Sequence, residues 1–127
     1  MQKVDFHSHI LPGMDDGPKN VDTAVAMKSL AEDGVETVVL TPHFYRRDED
    51  IISFLKRREK AYNELCKAAE KIPDCPKLLL GAEVYFYPSL SSDPDFGKLA
   101  IEGTDYVLLE LPFEHFYHNF YSSYKSF

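Results

Sequence analysis

Cysteine is scarce in this sequence, since Cys66 and Cys75 are the two that its 127 residues contain. Neither has the CxxC or Cys/His spacing of a zinc site. Neither begins the C-x5-R loop of cysteine-dependent phosphatases, because Ile72 and Gly81 stand where the arginine would be. The sequence therefore argues against thiol-based phosphate chemistry, and Cys66 is predicted to be a core position of a helix.

Long apolar runs and an excess of positive charge are also lacking. No stretch approaches the roughly 18 apolar residues of a membrane span, and the sequence does not open on the basic start and apolar run of a signal peptide. Fourteen basic against 21 acidic residues give a net charge of −7, which argues against nucleic acid or an anionic membrane as partner. We expect a cytoplasmic protein with no membrane insertion and no nucleic-acid partner.

What the sequence does contain is an alternation of strand and helix patterns within one domain, residues 1–127. Its 44% hydrophobic and 28% charged residues are typical of a folded domain. Strands are predicted over 2–6, 36–43, 77–86 and 105–113, and helices from Asn20 to Gly34 and over 48–72. This alternation predicts an α/β fold with a parallel sheet and right-handed crossovers.

Each of the four predicted strands ends in, or just before, a side chain that can bind a metal. The first delivers His7 and His9, the second ends at His43, and the third and fourth carry Glu83 and Glu110. Because the carboxyl ends of parallel strands meet at one edge, we expect these side chains to converge. The two-residue period of a strand would also place His7 and His9 on one side, where they can bind one cation.

Each candidate also has a purely structural explanation. His43 alone is compatible with an ordinary loop or core position, and Glu83 and Glu110 with salt bridges in apolar surroundings. Asp15 and Asp16 precede a Gly-Pro pair, so a turn or the entry to a helix would explain at least one of them. The coincidence of all the strand-end residues, rather than any one of them, favours a metal site.

The pattern D-x-H-x-H at Asp5, His7 and His9, followed by PGMDDGP, resembles the opening motif of the PHP (polymerase and histidinol phosphatase) metal-dependent phosphoesterases. Its continuation through TPH, GAEVYF and VLLELPF is similar to the bacterial manganese-dependent tyrosine phosphatases of capsule and exopolysaccharide synthesis. The resemblance covers roughly residues 3–112. It implies a distorted (β/α)7 TIM-like barrel with divalent metals at the carboxyl ends of its strands.

The resemblance also implies a set of metal ligands and a metal. Carried over by position, the ligands are His7, His9, Asp16, His43, Glu83 and Glu110. Asp16 is the acid of the D-D-G loop, and Glu83 is expected to bridge two ions. We expect Mn2+, with two or three ions in a complete site, and with Fe, Zn or Mg as alternatives because this mixed set of ligands accepts all of them.

Further ligands of the family lie after the fifth strand and near the end of the barrel, and they have no counterpart here. At 127 residues the chain is also short for a barrel, which normally takes about 250 residues. We interpret it as about the first four β/α units, truncated, with an aromatic tail over 113–127 in which His115 and His118 are read as surface residues. The unpaired sheet edge predicts either a homo-oligomer or a shortened sequence.

The function implied by the resemblance is that of a metal-dependent phosphomonoesterase, acting by attack of a metal-bridging hydroxide. The most specific expectation is a protein-tyrosine phosphatase linked to capsular or exopolysaccharide synthesis, with a phosphotyrosine protein such as a bacterial tyrosine kinase as substrate. Arg46 and Arg47, just beyond His43, are the candidate catalytic clamps for phosphate. Their alternative is a pair of solvated charges facing Asp48 and Asp50.

Three other functions remain open from the sequence. They are a phosphatase for a small molecule such as histidinol phosphate, a PHP domain acting on nucleic-acid ends, and a half-domain that binds metal without turnover. The acidic charge argues against the nucleic-acid function. Dependence of phosphate-ester hydrolysis on added metal and on His7 would distinguish a phosphatase from a metal-binding module.

Overall fold

The fold is α/β, with short parallel strands and two α-helices in the part of the chain that the structure describes. The computed structural model describes residues 2–14 and 21–112. No helix in this part is long and apolar enough to cross a membrane. The elements are β1 (Lys3–Ser8), α1 (Val21–Glu32), β2 (Val35–Leu40), β3 (His43–Phe44), α2 (Ile51–Ala69), β4 (Lys77–Leu80), β5 (Glu83–Tyr85), the short 3-10 helices Leu90–Ser92 and Phe96–Leu99, and β6 (Leu108–Glu110).

The strands form two parallel sheets that are joined end to end. The first contains β1, β2 and β4, and the second contains β3, β5 and β6. Backbone hydrogen bonds continue across the junction, since Gly81 N donates to Leu40 O at 2.8 Å and Glu83 N donates to Pro42 O at 2.9 Å. Because β2 leads into β3 and β4 into β5, the strands lie side by side in chain order. The predicted α/β class with parallel pairing is confirmed.

Two of the predicted strands are each divided in two. The run 36–43 is interrupted before His43, and the run 77–86 is interrupted at Gly81. Pro42 has no N–H to donate to a neighbouring strand, so the ladder cannot continue regularly through it. At Gly81 the backbone is closely packed, because a Cβ there would lie 3.3 Å from side-chain carbons of Val39 and Ile101. The interruptions place His43 and Glu83 at the starts of new strands.

The helix boundaries agree with the sequence at one helix and differ at the other. As predicted, α1 ends just before Gly34, whose φ of +80° is the left-handed conformation that glycine adopts most readily. The predicted helix 48–72 is shorter in the structure, Ile51–Ala69. Asp50 caps its N-terminus, with Oδ1 accepting a hydrogen bond from Ser53 N at 2.7 Å, so the acidic residues before Asp50 lie outside the helix.

Helix α2 packs against both parts of the hydrophobic core. Its N-terminal half contributes Ile51 and Phe54 to a cluster with Phe44 of β3. Its C-terminal half contributes Ala61 and Leu65 to a second cluster, which also contains Met27, Val38 and Leu40. Burying each of the larger side chains stabilises the fold by about 1.5–3 kcal/mol. The helix therefore holds the two sheets in a fixed relation at the junction between them.

Arg58 fixes this junction from the α2 side. Its Nη1 donates a hydrogen bond to Gly81 O at 2.7 Å, and its guanidinium lies 5.7 Å from the centre of the Phe54 ring. Burial lowers the pKa of Arg58, and the nearby Glu102 carboxylate acts in the opposite direction. A charged donor to a carbonyl makes a stronger hydrogen bond than a neutral one, so Arg58 stabilises the interruption that leads into β5.

The N-cap of α2 gives a test of the fold. We expect Asp50→Ala to lower the melting temperature at neutral pH, because the hydrogen bond from Ser53 lowers the pKa of Asp50 below its usual 3.8 and stabilises the ionised, folded form. This stabilisation is present above the unfolded-state pKa and is lost as pH falls through the lower folded-state value. The difference from wild type should therefore shrink in acid, as followed by circular dichroism.

The matched control is Asp50→Asn, which keeps a side-chain oxygen that can accept from Ser53 and should retain most of the stability. Identical melting temperatures of wild type and Asp50→Ala at neutral pH would show that the cap does not contribute.

Candidate metal centre

Five of the six predicted metal ligands lie together in the structure. His7 Nε2 and His9 Nε2 are 2.9 Å apart. Glu83 lies among the histidines, with Oε1 3.1 Å from His7 Nε2 and Oε2 3.4 Å from His9 Nε2 and 2.8 Å from His43 Nδ1. Glu110 Oε2 is 3.4 Å from His43 Nδ1. The expected convergence is therefore observed for these side chains, but His43 and Glu83 are the first residues of β3 and β5 rather than strand-end residues.

An irregularity in β1 determines where His7 and His9 lie. Asp5 is paired with Val38 and Ser8 with Leu40, so β1 uses one residue more than β2 between the two pairs, as in a β-bulge. The Asp5 carboxylate accepts a hydrogen bond from His7 N at 3.0 Å inside the bulge. The predicted proximity of His7 and His9 is observed, but it is reached through a bulge rather than through regular alternation.

Two buried hydroxyl groups anchor the end of β1 between the two histidines. Ser8 N donates to Thr41 Oγ1 at 3.0 Å, and Ser8 Oγ donates to Val39 O at 3.0 Å. Thr41 N in turn donates to Ser8 O at 2.9 Å. Because Ser8 and Thr41 are both buried, these bonds are protected from water and fix the backbone from which His7 and His9 project.

His43 and Glu83 are direct neighbours in the second sheet, where β3 and β5 pair them in register. The ring of His43 also stacks on that of His9, with 4.5 Å between centroids and 14° between planes. Glu110, the last residue of β6, reaches His43 from the far side of β5. Three strands of the second sheet therefore supply His43, Glu83 and Glu110 from paired positions, whereas His7 and His9 come from the bulge and the end of β1.

The carboxylates of this cluster are suited to a cation. Glu83 is 12% exposed, and its Oε2 and the Oε2 of Glu110 are buried without an aligned hydrogen-bond donor among the described residues. Burying an ionised oxygen in this way is costly unless a positive charge compensates it. In the described ranges their ion-pair partners are histidines, not lysine or arginine, so an ordinary structural salt bridge does not explain them.

Two sets of three residues could each hold a metal ion, and they share one member. His7, His9 and Glu83 form the first set, and His43, Glu83 and Glu110 form the second, with the candidate ligand atoms of each set within 4.8 Å of one another. Imidazole nitrogens with carboxylate oxygens suit Zn, Mn and Fe. The donor chemistry and the buried carboxylate oxygens therefore fit a divalent cation.

Arg46 and Arg47 lie in the exposed segment that follows His43. The guanidinium of Arg47 lies 5.1 Å from the centre of the Tyr45 ring and 5.9 Å from that of Tyr85, and its Nε is 3.8 Å from Asp48 Oδ1. Tyr45 stacks on His43, so Arg47 is one side chain removed from the cluster. Arg47 therefore shows features of both interpretations from the sequence. Its positive charge lies near the cluster, and it also forms a solvent-exposed pair with Asp48.

Arg46 contributes to the pKa values of two other groups, Tyr87 and Asp50. Burial and the Asp93 carboxylate raise the pKa of Tyr87 to about 12, and Arg46 acts in the opposite direction. Arg46 also contributes to the lowered pKa of Asp50, after the dominant hydrogen bonds from Ser53. Its electrostatic influence is thus on the start of α2 and on Tyr87.

The remaining residues singled out from the sequence are two cysteines and four residues that the structure does not describe. Asp15, Asp16, His115 and His118 fall outside the described residues. Cys66 is half-buried rather than a full core position, because it lies on the flank of α2. Burial raises the pKa of the Cys75 thiol, which keeps it protonated and a poor nucleophile. The two thiols therefore do not support a cysteine-based catalytic mechanism.

Sequence reasoning missed the residues that position the ligands. Asp5 was noted as part of the D-x-H-x-H pattern without a role, and Thr41 as part of TPH. The motifs assign no role to Tyr45 or Tyr85. Each of the two tyrosines follows a candidate ligand by two residues, His43 and Glu83, and that spacing is the signal by which they could have been found.

Comparison with known proteins agrees with this geometry. The family described as "Capsular polysaccharide synthesis, CpsB/CapC" matches residues 3–126. The chain belongs to this family. The tyrosine-protein phosphatase YwqE of Bacillus subtilis (strain 168) is 30% identical over 119 residues, covering 88% of this chain and 44% of YwqE. The tyrosine-protein phosphatase CpsB of Streptococcus pneumoniae is 36% identical over 92 residues, covering 65% of this chain and 34% of CpsB.

A solved structure is similar over almost the whole chain. It comes from work on the crystal structures of YwqE from Bacillus subtilis and CpsB from Streptococcus pneumoniae, called there "unique metal-dependent tyrosine phosphatases". The TM-score is 0.65 at 25% identity, over 97% of this chain and 51% of the other. The CpsB/CapC chain described here thus spans about half the length of the relatives that it matches. The family resemblance drawn from the sequence motifs is confirmed.

Glu83 belongs to both candidate sets, which gives a sharp test of the metal centre. We expect Glu83→Gln to weaken Mn2+ binding at least about 100-fold, because removing one charge from a buried cluster typically costs about 3 kcal/mol or more. Glu110→Gln should affect only one set and reduce the number of ions bound. Isothermal titration calorimetry with Mn2+ measures both quantities.

The matched control is Glu36→Gln, which changes an exposed glutamate near the start of β2, at the opposite end of the strand from the cluster. It should bind Mn2+ as wild type does. Wild-type affinity and stoichiometry in a folded Glu83→Gln variant would rule out the shared-ligand arrangement.

Proposed function

We propose that this chain takes part in the metal-dependent hydrolysis of phosphate monoesters, and that its substrate is phosphotyrosine in a protein. The observation that carries the proposal is the convergence of His7, His9, His43, Glu83 and Glu110, each with a side-chain atom within 3.4 Å of at least one other member. The names of the relatives, tyrosine-protein phosphatases, favour phosphotyrosine over a small molecule such as histidinol phosphate. The capsule-related description of the family favours a role in capsular or exopolysaccharide synthesis.

The proposed ligands are the three histidines, the two glutamates and Asp16, with Mn2+ as the metal and two or three ions in a complete site. Divalent ions held there would lower the pKa of a coordinated water and neutralise phosphate oxygens. The histidines must be neutral to bind metal, and Glu83 and Glu110 must be ionised. Glu83, which belongs to both sets, would be a ligand that the two sets share.

Positive charge near the site is the second requirement, because a phosphotyrosine ester carries about −1.5 to −2 charges and the chain has a net charge of −7. Arg46 and Arg47 remain the proposed clamps for phosphate. Arg47 is the better placed of the two, since it lies over Tyr45, which stacks on His43. A guanidinium can bind two phosphate oxygens at once, which orients the ester for attack.

The finer architecture is also a proposal. The strands lie in chain order and are parallel, as in the first units of a β/α barrel, and the similar structure is matched over 51% of its chain. We infer that residues 1–127 correspond to about the first four β/α units of a PHP-type (β/α)7 TIM-like barrel. A cytoplasmic location and the absence of a nucleic-acid partner stay predictions from the sequence.

Hydrolysis of p-nitrophenyl phosphate tests the proposed activity. We expect turnover that requires added Mn2+ and falls at least about 100-fold in His7→Ala, because that change removes one ligand from the first set. Release of p-nitrophenol is followed by absorbance with and without chelator. Turnover that ignores both the metal and His7 would refute the proposal, and Mn2+ binding without turnover would identify a metal-binding half-domain instead.

The partners proposed are a bacterial tyrosine kinase as substrate and a second copy of the chain. In the described part, β1 pairs only with β2, and its Val4 and Phe6 are 39% and 62% exposed. An exposed edge with apolar side chains is a surface that proteins usually cover.

We expect a dimer in sedimentation velocity experiments, and we expect Phe6→Ser to lower the dimer fraction because it removes an exposed apolar side chain from this edge. A stable monomer at high concentration would contradict the self-association.

A further inference from the structure

An aromatic shelf lies beside the candidate metal centre, formed by Tyr45, Tyr85 and Arg47. The Tyr45 ring stacks against His43 with 5.5 Å between centroids and 19° between planes. The Tyr85 ring lies 5.6 Å from that of Tyr45, tilted by 47°. Arg47 lies over both rings. The shelf therefore begins at one of the candidate ligands and extends away from the cluster.

The strand pattern explains why the shelf is next to the cluster. His43 is paired with Glu83, and two residues later the chain reaches Tyr45, directly after β3, and Tyr85, the last residue of β5. Residues two apart in a strand project from the same face. The intervening residues, Phe44 and Val84, project to the other face and are fully buried in the core. The two tyrosines, by contrast, are only partly buried, so they are not core residues as Phe44 and Val84 are.

We propose that this aromatic shelf binds the aromatic ring of the phosphate ester and thereby selects aryl over alkyl phosphate monoesters. This inference rests on the proposed function and deepens it by naming the residues that recognise the leaving group. A phosphate at the cluster would place its ester substituent on the neighbouring surface, and the shelf adjoins the cluster at His43. Offset or edge-to-face contacts between aromatic rings stabilise binding beyond the area that they bury.

Arg47 completes the shelf as a cation held against the tyrosine rings. Its side chain is 73% exposed and its contact with Asp48 is long, 3.8 Å, so the guanidinium can shift when a ring binds. Contact between a guanidinium and aromatic faces is favourable without a fixed hydrogen-bond geometry. The shelf can thus accept a further ring while keeping positive charge beside the phosphate.

Two phosphonates that are not hydrolysed separate ring recognition from catalysis. In calorimetric titrations of the Mn2+-loaded protein, phenylphosphonate should bind about three- to tenfold more tightly than ethylphosphonate, the range expected for one aromatic contact. Tyr85→Leu should reduce this ratio to about twofold or less, leaving Mn2+ affinity and ethylphosphonate affinity unchanged. Tyr85→Phe should keep the ratio. Tyr106→Leu, a change at a tyrosine that is 77% exposed, is the control and should also keep it.

A measurement on the wild-type protein supports the test if a variant fails to fold. With diamagnetic Zn2+ in place of Mn2+, nuclear Overhauser effects should connect the phenyl protons of phenylphosphonate to the rings of Tyr45 and Tyr85. Equal affinity of wild type for the two phosphonates, an unchanged ratio in Tyr85→Leu, or contacts to other aromatic rings would overturn the shelf while leaving the proposed phosphatase site. Failure of both phosphonates to bind would overturn the proposed site and the shelf with it.

Discussion

The contact on which the candidate site depends is that of the Glu83 carboxylate with three histidines from two different segments. His7 and His9 approach it from β1 and His43 from β3, at distances between 2.8 and 3.4 Å. Neutral imidazoles carry no charge that could compensate a buried carboxylate. A proton or a metal ion among these side chains has to supply the positive charge. The site is therefore organised around Glu83, and the surrounding fold brings the other ligands to it from both sheets.

The junction between the sheets makes this arrangement possible. In a continuous strand over 36–43, the face to which His43 projects would be set by regular alternation from β2. In the same way, alternation from β4 would set the face to which Glu83 projects. The interruptions at Pro42 and Gly81 restart the pattern, while Arg58 and the hydrogen bonds across the junction keep the strands aligned. Helix α2 packs on both sides of this point. Stability and site geometry therefore depend on the same few contacts.

The sequence alone predicted the class of fold and the members of the cluster, because those follow from local patterns. Short apolar, β-rich runs predicted the strands, and a ligand-type residue in or just after each run predicted His7, His9, His43, Glu83 and Glu110. The breaks at Pro42 and Gly81, the bulge in β1 and the later start of α2 were not predicted, since they depend on which backbone groups find partners in neighbouring strands. For the same reason the roles of Asp5, Thr41 and Arg58 became clear only in three dimensions.

The bulge in β1 has a consequence for protein design. The Asp5 carboxylate replaces a neighbouring strand as the acceptor for His7 N, so part of the extra residue's hydrogen bonding is satisfied locally. A His-x-His pair grafted onto a flat, regular strand would lack this bulge, and its imidazole rings would be oriented differently. Transferring such a centre to another scaffold would require copying the irregular backbone and its aspartate together with the histidines.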